Sequence, residues 1–266
     1  MRIIATLTTT PRRIGEIRKT LNSVLNQTIP IEAIEINVPY ILKRSGEEYQ
    51  IPEWLSQLEA ETKNTKCEVR IFRTEDFGAI TKIAPTLFRY QGQKDVFAWS
   101  IDDDVEYPVN MLATIFREYM PDRDYVLCHS GAEWKFDSED FCIGYNPDRR
   151  ERDVHFAEGH ATIFYPAGLV QEDFEDYIFK TTQTDDTRNS DDIIISNYFA
   201  LKNIKIHCCA YPYREQSLFL VNRALKYGMN SQALHKQGGG NQKRYIRVFN
   251  WLKENNLNGW VKNGLV

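Results

Sequence analysis

Short apolar, β-branched runs alternate along this chain with amphipathic helical segments, and that alternation most restricts how it can fold. RIIATLT (2–8), AIEINVP (33–39), CEVRIFR (67–73), DVFAWSID (95–102), DYVLCHS (124–130), HATIFYP (160–166) and IKIHCCA (204–210) read as strands. Helices are expected over 11–26, 52–62, 81–90 (despite Pro85), 110–120, 169–179 and 191–203. The first has Thr10 as a cap, Pro11 at a favourable first position, and Ile14, Ile17, Leu21, Val24 and Leu25 at helical spacing. Parallel neighbours need a crossover, which a helix supplies, so the expectation is an α/β fold with a mixed, mostly parallel central sheet flanked by helices. Residues 1–214 make its body. Residues 215–266 read as a helical extension of the same single domain, broken by a flexible glycine loop at KQGGGNQKR (236–244). Residues 135–153 are dense in charge and aromatics and lack periodicity, which suits a loop or hairpin carried on a rigid scaffold.

The net charge of −4 offers no basic face for nucleic-acid phosphates, so no nucleic-acid partner is expected. Five cysteines, an odd number without a CxxC pair, suggest reduced thiols rather than a disulfide framework or zinc knuckle. MRIIATLTTTPRR is too short in apolar content for a leader or anchor, and no later segment could span a membrane. A cytoplasmic protein is the expectation.

WSIDDDVEYP sets three aspartates at the end of the fourth strand. At roughly 6 Å and an effective dielectric near 20, each close pair repels by about 3 kcal/mol. An extended chain would put Asp102 and Asp104 on one face and turn Asp103 away. Two carboxylates at the carboxyl edge of a parallel sheet suit a hard divalent cation, which would also offset the repulsion. An EF-hand loop starting at Asp102 fails, because Tyr107 and Ala113 stand where Gly and Glu are required. A solvated aspartate turn and a phosphatase-type aspartyl nucleophile at Asp102 remain open on these residues alone.

Four segments in order, TLTTTPRRI, TEDFGAITKIAPTL, WSIDDDVEYP and SDDIIISNYFALKNIKI, together resemble the GT-A glycosyltransferases, nucleotide-sugar-dependent enzymes with a DxD metal motif. The resemblance covers roughly residues 1–210. It implies a nucleotide-binding half over about 1–108, an acceptor half over 109–214, and transfer of a hexose or pentose from a UDP-sugar to a glycan hydroxyl with Mn²⁺ or Mg²⁺.

By that resemblance Asp104 ligates the metal, with Asp102 at the ribose or the metal and Asp103 near the donor sugar. Thr8 and Arg12 would meet the nucleotide. Asp76, Gly78 and Lys82 would hold uridine and phosphate, although Asp76 and Gly78 also suit a plain turn. Asp192, then Asp191, would be the general base, which implies inversion; carboxylates in a first helical turn also simply complement the helix dipole. His235 falls where a late metal ligand would sit and Lys236 where a phosphate contact would. Glu158, Gly159 and His160 would form a sugar-facing wall, and Trp134 would stack on a sugar or be buried. His129 and His207 read as core histidines. A retaining enzyme of the same fold, a DxD phosphatase or phosphotransferase, and a non-catalytic nucleotide-sugar-binding module are the alternatives.

Overall fold

The computed structural model describes residues 1–118, 124–137, 140–145, 151–159, 162–209, 221–222 and 240–266. Eight strands form one sheet: β1 (Arg2–Leu7), β2 (Ala33–Pro39), β3 (Glu68–Thr74), β4 (Val96–Ser100), β5 (Tyr125–Cys128), β6 (Arg152–Val154), β7 (Ile163–Pro166) and β8 (Lys205–Cys208). Their spatial order is β6-β8-β5-β7-β4-β1-β2-β3. The β1–β2, β1–β4, β2–β3 and β5–β8 pairings are parallel. The β4–β7, β5–β7 and β6–β8 pairings are antiparallel. The fold is therefore α/β, a mixed and mostly parallel sheet with helices packed on it.

Period-2 alternation places a separate apolar layer on each face. From β1, Ile3, Ala5 and Leu7 join the helices Arg18–Leu25 and Met111–Glu118. Ile4 points the other way, toward Ala84–Tyr90, Asp191–Leu201 and Gly240–Glu254. All five residues of β4 are buried, as its unbroken apolar content requires. Trp99 is its largest side chain, its indole N–H donating to Thr162 Oγ1.

Two local expectations give way. The first helix begins at Arg18 rather than 11, preceded by a 3₁₀ turn at Ile14–Glu16, and Thr10 contributes only its carbonyl, which accepts from the Arg13 and Ile14 N–H groups. The cause is tertiary: Thr9 and Arg13 are drawn onto the acidic triplet. The glycine run is also shorter than expected, because helix Gly240–Glu254 starts within it and buries Tyr245, Val248, Phe249 and Leu252 along one stripe.

Residues Gly131–Asp137 and Asp140–Tyr145 form the hairpin anticipated in the irregular stretch, joined by Phe156–Ala157. Val221–Asn222 pairs with Val105–Glu106 just beyond the triplet. Among the described residues no helix is long and apolar enough to cross a membrane.

Candidate functional site

β1 to β4 all end at the same sheet edge, so the four loops that follow them meet there. Thr8–Thr10 and Arg13 follow β1, Leu42 and Arg44 follow β2, Asp76, Gly78, Ala79 and Lys82 follow β3, and Asp102–Asp104 follow β4. They line a cavity of about 310 Å³ that is closed from the other side by Gly159, by Asp185, Arg188, Asn189, Asp191 and Asp192, and by Asn241, Arg244 and Tyr245. Carboxyl edges of parallel strands are where open α/β sheets bind ligands.

The triplet is arranged differently from an extended strand end. β4 stops at Ser100, and Asp103 does not turn away. It is buried, accepts from Thr9 Oγ1 at 2.7 Å, and shares the Arg13 guanidinium with Asp104, at 2.5 and 2.8 Å. Thr20 Oγ1 donates to the Asp103 carbonyl, and the Tyr107 hydroxyl accepts from the Asp102 N–H. Burial pushes the Asp103 carboxyl up to about 6, against the opposing pull of Arg13. Asp104 is raised for the same reason, with the charge on Asp102 adding to it. Arg13 is the cation that this fold itself supplies to Asp103 and Asp104.

Asp102 pairs instead with Lys82, whose Nζ lies 3.3 Å from Asp102 Oδ1 and 2.7 Å from Asp191 Oδ2. Burial alone would depress this ammonium, but Asp102, Asp191 and Asp192 together hold it well above its usual range. Lys82 thus joins the aspartate triplet to the acidic pair at the start of helix Asp191–Leu201.

Asp192 accepts from the Gly159 N–H at 2.9 Å and from the Tyr245 hydroxyl at 2.7 Å. Burial first, then the neighbouring Asp191, raises its carboxyl to about 7. A Cβ on Gly159 would fall 2.7 Å from Lys82 Nζ and 3.1 Å from Asp192 Oδ1, so a side chain there would push the ammonium from its place between the carboxylates.

Of the other sequence candidates, Thr8 lines the cavity with its hydroxyl donating to the Asn37 carbonyl. Arg12 does not line it: its guanidinium lies outside, 3.0 Å from Glu47, and its neighbour Arg13 takes the inner position. Asp76 lines the cavity, yet both its oxygens are taken by backbone N–H groups, of Lys43 and Gly78, each at 2.7 Å. This is the turn-forming arrangement.

Gly78 has φ +81°, and a Cβ there would fall 2.2 Å from the Arg188 carbonyl oxygen. Gly78→Ala is expected to lose about 2–5 kcal/mol from strain and overpacking, read as a lowered thermal midpoint.

Trp134 is buried against Phe156, Phe249 and Trp260, which makes it a core residue. Glu158 accepts from Ser130 Oγ. His129 is buried, which lowers its imidazole to about 3. His207 departs from the core expectation and sits between Asp153 and Glu151. His160, His235 and Lys236 lie outside the described residues.

The sequence reading missed Thr9, Arg13, Arg188, Arg244 and Tyr245. Only the last two had a usable signal, the i, i+3, i+4, i+7 stripe of Tyr245, Val248, Phe249 and Leu252 that marks a helix following the glycines.

No family model matches the sequence, and no curated protein matches it. Among solved structures, a crystal structure of S. aureus TarS 1-349 matches at 18% identity and TM-score 0.33 over 53% of this chain. The matched region spans 38% of the TarS chain. A likeness of that size carries no argument about activity, which rests on the cavity itself.

Proposed function

We propose that this cavity transfers a sugar from a UDP-sugar to a hydroxyl of a glycan acceptor, with inversion, in the manner of the GT-A enzymes that the sequence resembles. One observation carries the reading: Lys82 ties an acidic turn at the sheet's carboxyl edge to a second acidic pair across the same cavity, 2.7 Å from Asp191 and 3.3 Å from Asp102. A donor site and an acceptor base need that juxtaposition.

Asp192 is the general base. Its carboxyl, lifted to about 7 by burial, is matched to taking a hydroxyl proton near neutral pH. Tyr245 and Gly159 fix its orientation, one hydrogen bond to each oxygen, and leave further lone pairs for the acceptor.

The donor set fits a hard divalent cation. Asp102 and Asp104 both line the cavity. Among the described residues no cluster of three or more ligating side chains exists, but Mg²⁺ or Mn²⁺ needs only one or two carboxylates besides substrate phosphate and water. Such a cation would supply positive charge where the departing diphosphate gathers negative charge. Asp104 would have to leave Arg13 to take part.

UDP with Mn²⁺ is expected to raise the thermal midpoint, by the equivalent of about 2.7 kcal/mol at a hundred times the dissociation constant. UDP release from one of a panel of hexose and pentose donors should accompany it. Stabilisation without release in any acceptor mixture would mean a binding module. No stabilisation, with Asp104→Ala equally silent, would refute the donor reading.

A further inference from the structure

The Lys82 ammonium sits at the end of a flexible stem, so its span between Asp102 and Asp191 depends on where the backbone of residue 82 is held. That backbone ends the 3₁₀ turn Gly78–Lys82. Its carbonyl accepts from Thr6 Oγ1, on β1, at 2.6 Å. β1 pairs with β2 on one side and β4 on the other, so the contact ties the turn to the middle of the sheet.

Thr6 is itself directed by a buried polar group. On the same face, β2 buries Glu35 and Asn37, and helix Ala84–Tyr90 brings Thr86 and Arg89 over them. The Glu35 carboxylate accepts from Arg89 at 2.5 Å, from the Tyr90 hydroxyl at 2.8 Å and from Thr86 Oγ1 at 2.9 Å. A carboxylate only accepts, which commits the single hydroxyl proton of Thr86 to Glu35. Thr86 Oγ1 lies 2.8 Å from Thr6 Oγ1, and the Asn37 amide donates to both hydroxyls, at 3.2 and 3.0 Å. Thr6 therefore receives an N–H from Asn37 and no proton from Thr86. Its own proton is left for the Lys82 carbonyl, the shorter of its contacts. An apolar side chain in place of Glu35, between Ile34 and Ile36, would avoid the cost of burying a charge, so stability is a weak reason for the group. What it supplies is the direction of the hydroxyl beneath Lys82.

We infer that Thr6, directed by Thr86 and Glu35, is a positioning residue for Lys82: its hydroxyl holds the residue-82 backbone where the ammonium can span Asp102 and Asp191. Its part in catalysis rests on the transfer reading; its hold on Lys82 does not.

Thr6→Val and Thr6→Ser separate the hydroxyl from the methyl group. Valine keeps the volume, suits a strand and lacks the donor, whereas serine keeps the donor. Competitive acetylation read by mass spectrometry reports on Lys82. Lys202 is the internal control, because it is about as covered and is paired elsewhere, with Asp173 at 2.6 Å. Thr6→Val should acetylate at Lys82 about five- to tenfold faster than wild type, the loss of one hydrogen bond, with Lys202 unchanged. Thr6→Ser should match wild type at both lysines. In sugar transfer, kcat/KM should fall by a similar factor in the valine variant and recover in the serine variant. If the valine variant does not fold, Thr6→Ala set against Thr6→Ser reads the same contrast, since both lack the methyl group and only alanine lacks the donor.

Equal labelling of Lys82 in all the proteins, or faster labelling in the serine variant but not the valine variant, overturns the inference. Faster labelling with transfer unchanged removes Thr6 from the reaction. Faster labelling in the valine variant of a protein whose wild type turns over no UDP-sugar keeps the hold on Lys82 and refutes the transfer reading.

Discussion

Asp192→Asn should lower the proposed sugar transfer by about 10²–10⁴-fold while leaving the protein more stable than wild type above neutral pH. The fold tolerates the change: the amide oxygen can still accept from the Gly159 N–H, and the amide N–H can donate to a Tyr245 hydroxyl that now acts as acceptor. The stability sign follows from linkage. The folded carboxyl binds its proton up to about 7, well above its ordinary 3.8, so the native state holds more protons than the unfolded chain between those values. Wild-type stability therefore falls as pH rises from about 4 to about 7 and is flat above. The asparagine variant lacks that fall. Its advantage should grow across the same window by something on the order of 2–4 kcal/mol, measured as denaturation midpoints at pH 4.5, 6 and 8. Asp103, raised to about 6, imposes a fall of the same sign in both proteins, so the difference between them isolates Asp192. Transfer within tenfold of wild type would move the base elsewhere in the cavity.

Lys82→Met should be the most destabilising single change in the site, by about 3–5 kcal/mol at neutral pH. The ammonium is only 13% exposed, and its loss leaves Asp102 and Asp191 without their cation, beside the buried Asp192. Methionine fills a comparable volume, so the loss is electrostatic. It should therefore shrink below about pH 7, where Asp192 is protonated and no longer adds its charge to the cluster. Asp192 should titrate higher still, because Lys82 now lowers it. A destabilisation equal at pH 5 and pH 8 would point to packing instead. Because the same ammonium joins both acidic groups, donor-side ligand binding should weaken together with transfer.

Much of the fold was legible because its signals are local. Residues 33–39 read as a strand to the residue, since Ile34, Ile36 and Val38 recur at the period-2 spacing of a strand. Helix Asp191–Leu201 was visible from the acidic residues at its start and the apolar run behind them. The place of Asp102–Asp104 at the sheet's carboxyl edge followed from the alternation, whereas Asp76, Lys82, Asp191 and Asp192 came to the same cavity only through the GT-A resemblance. Parallel strands joined by helices deliver their carboxyl-end loops to one edge whatever the loops contain.

The pairing of charges within that cavity was not legible. Arg12 and Arg13 are adjacent and alike in the sequence, and only the turn at Thr10–Ile14 sends the second inward to Asp103 and Asp104 while the first meets Glu47. The alternation rule turned Asp103 outward; with β4 ending at Ser100, Arg13 and Thr9 hold it inside. Lys82 with Asp191, Asp192 with Tyr245, and Ser190 with Arg244 join positions roughly fifty to a hundred residues apart. The sequence by itself determined which elements form and which loops share an edge, because hydrophobic periodicity is written residue by residue. The tertiary structure alone decided which carboxyl faces which cation, because that depends on the burial and direction of side chains that meet only once the sheet is assembled.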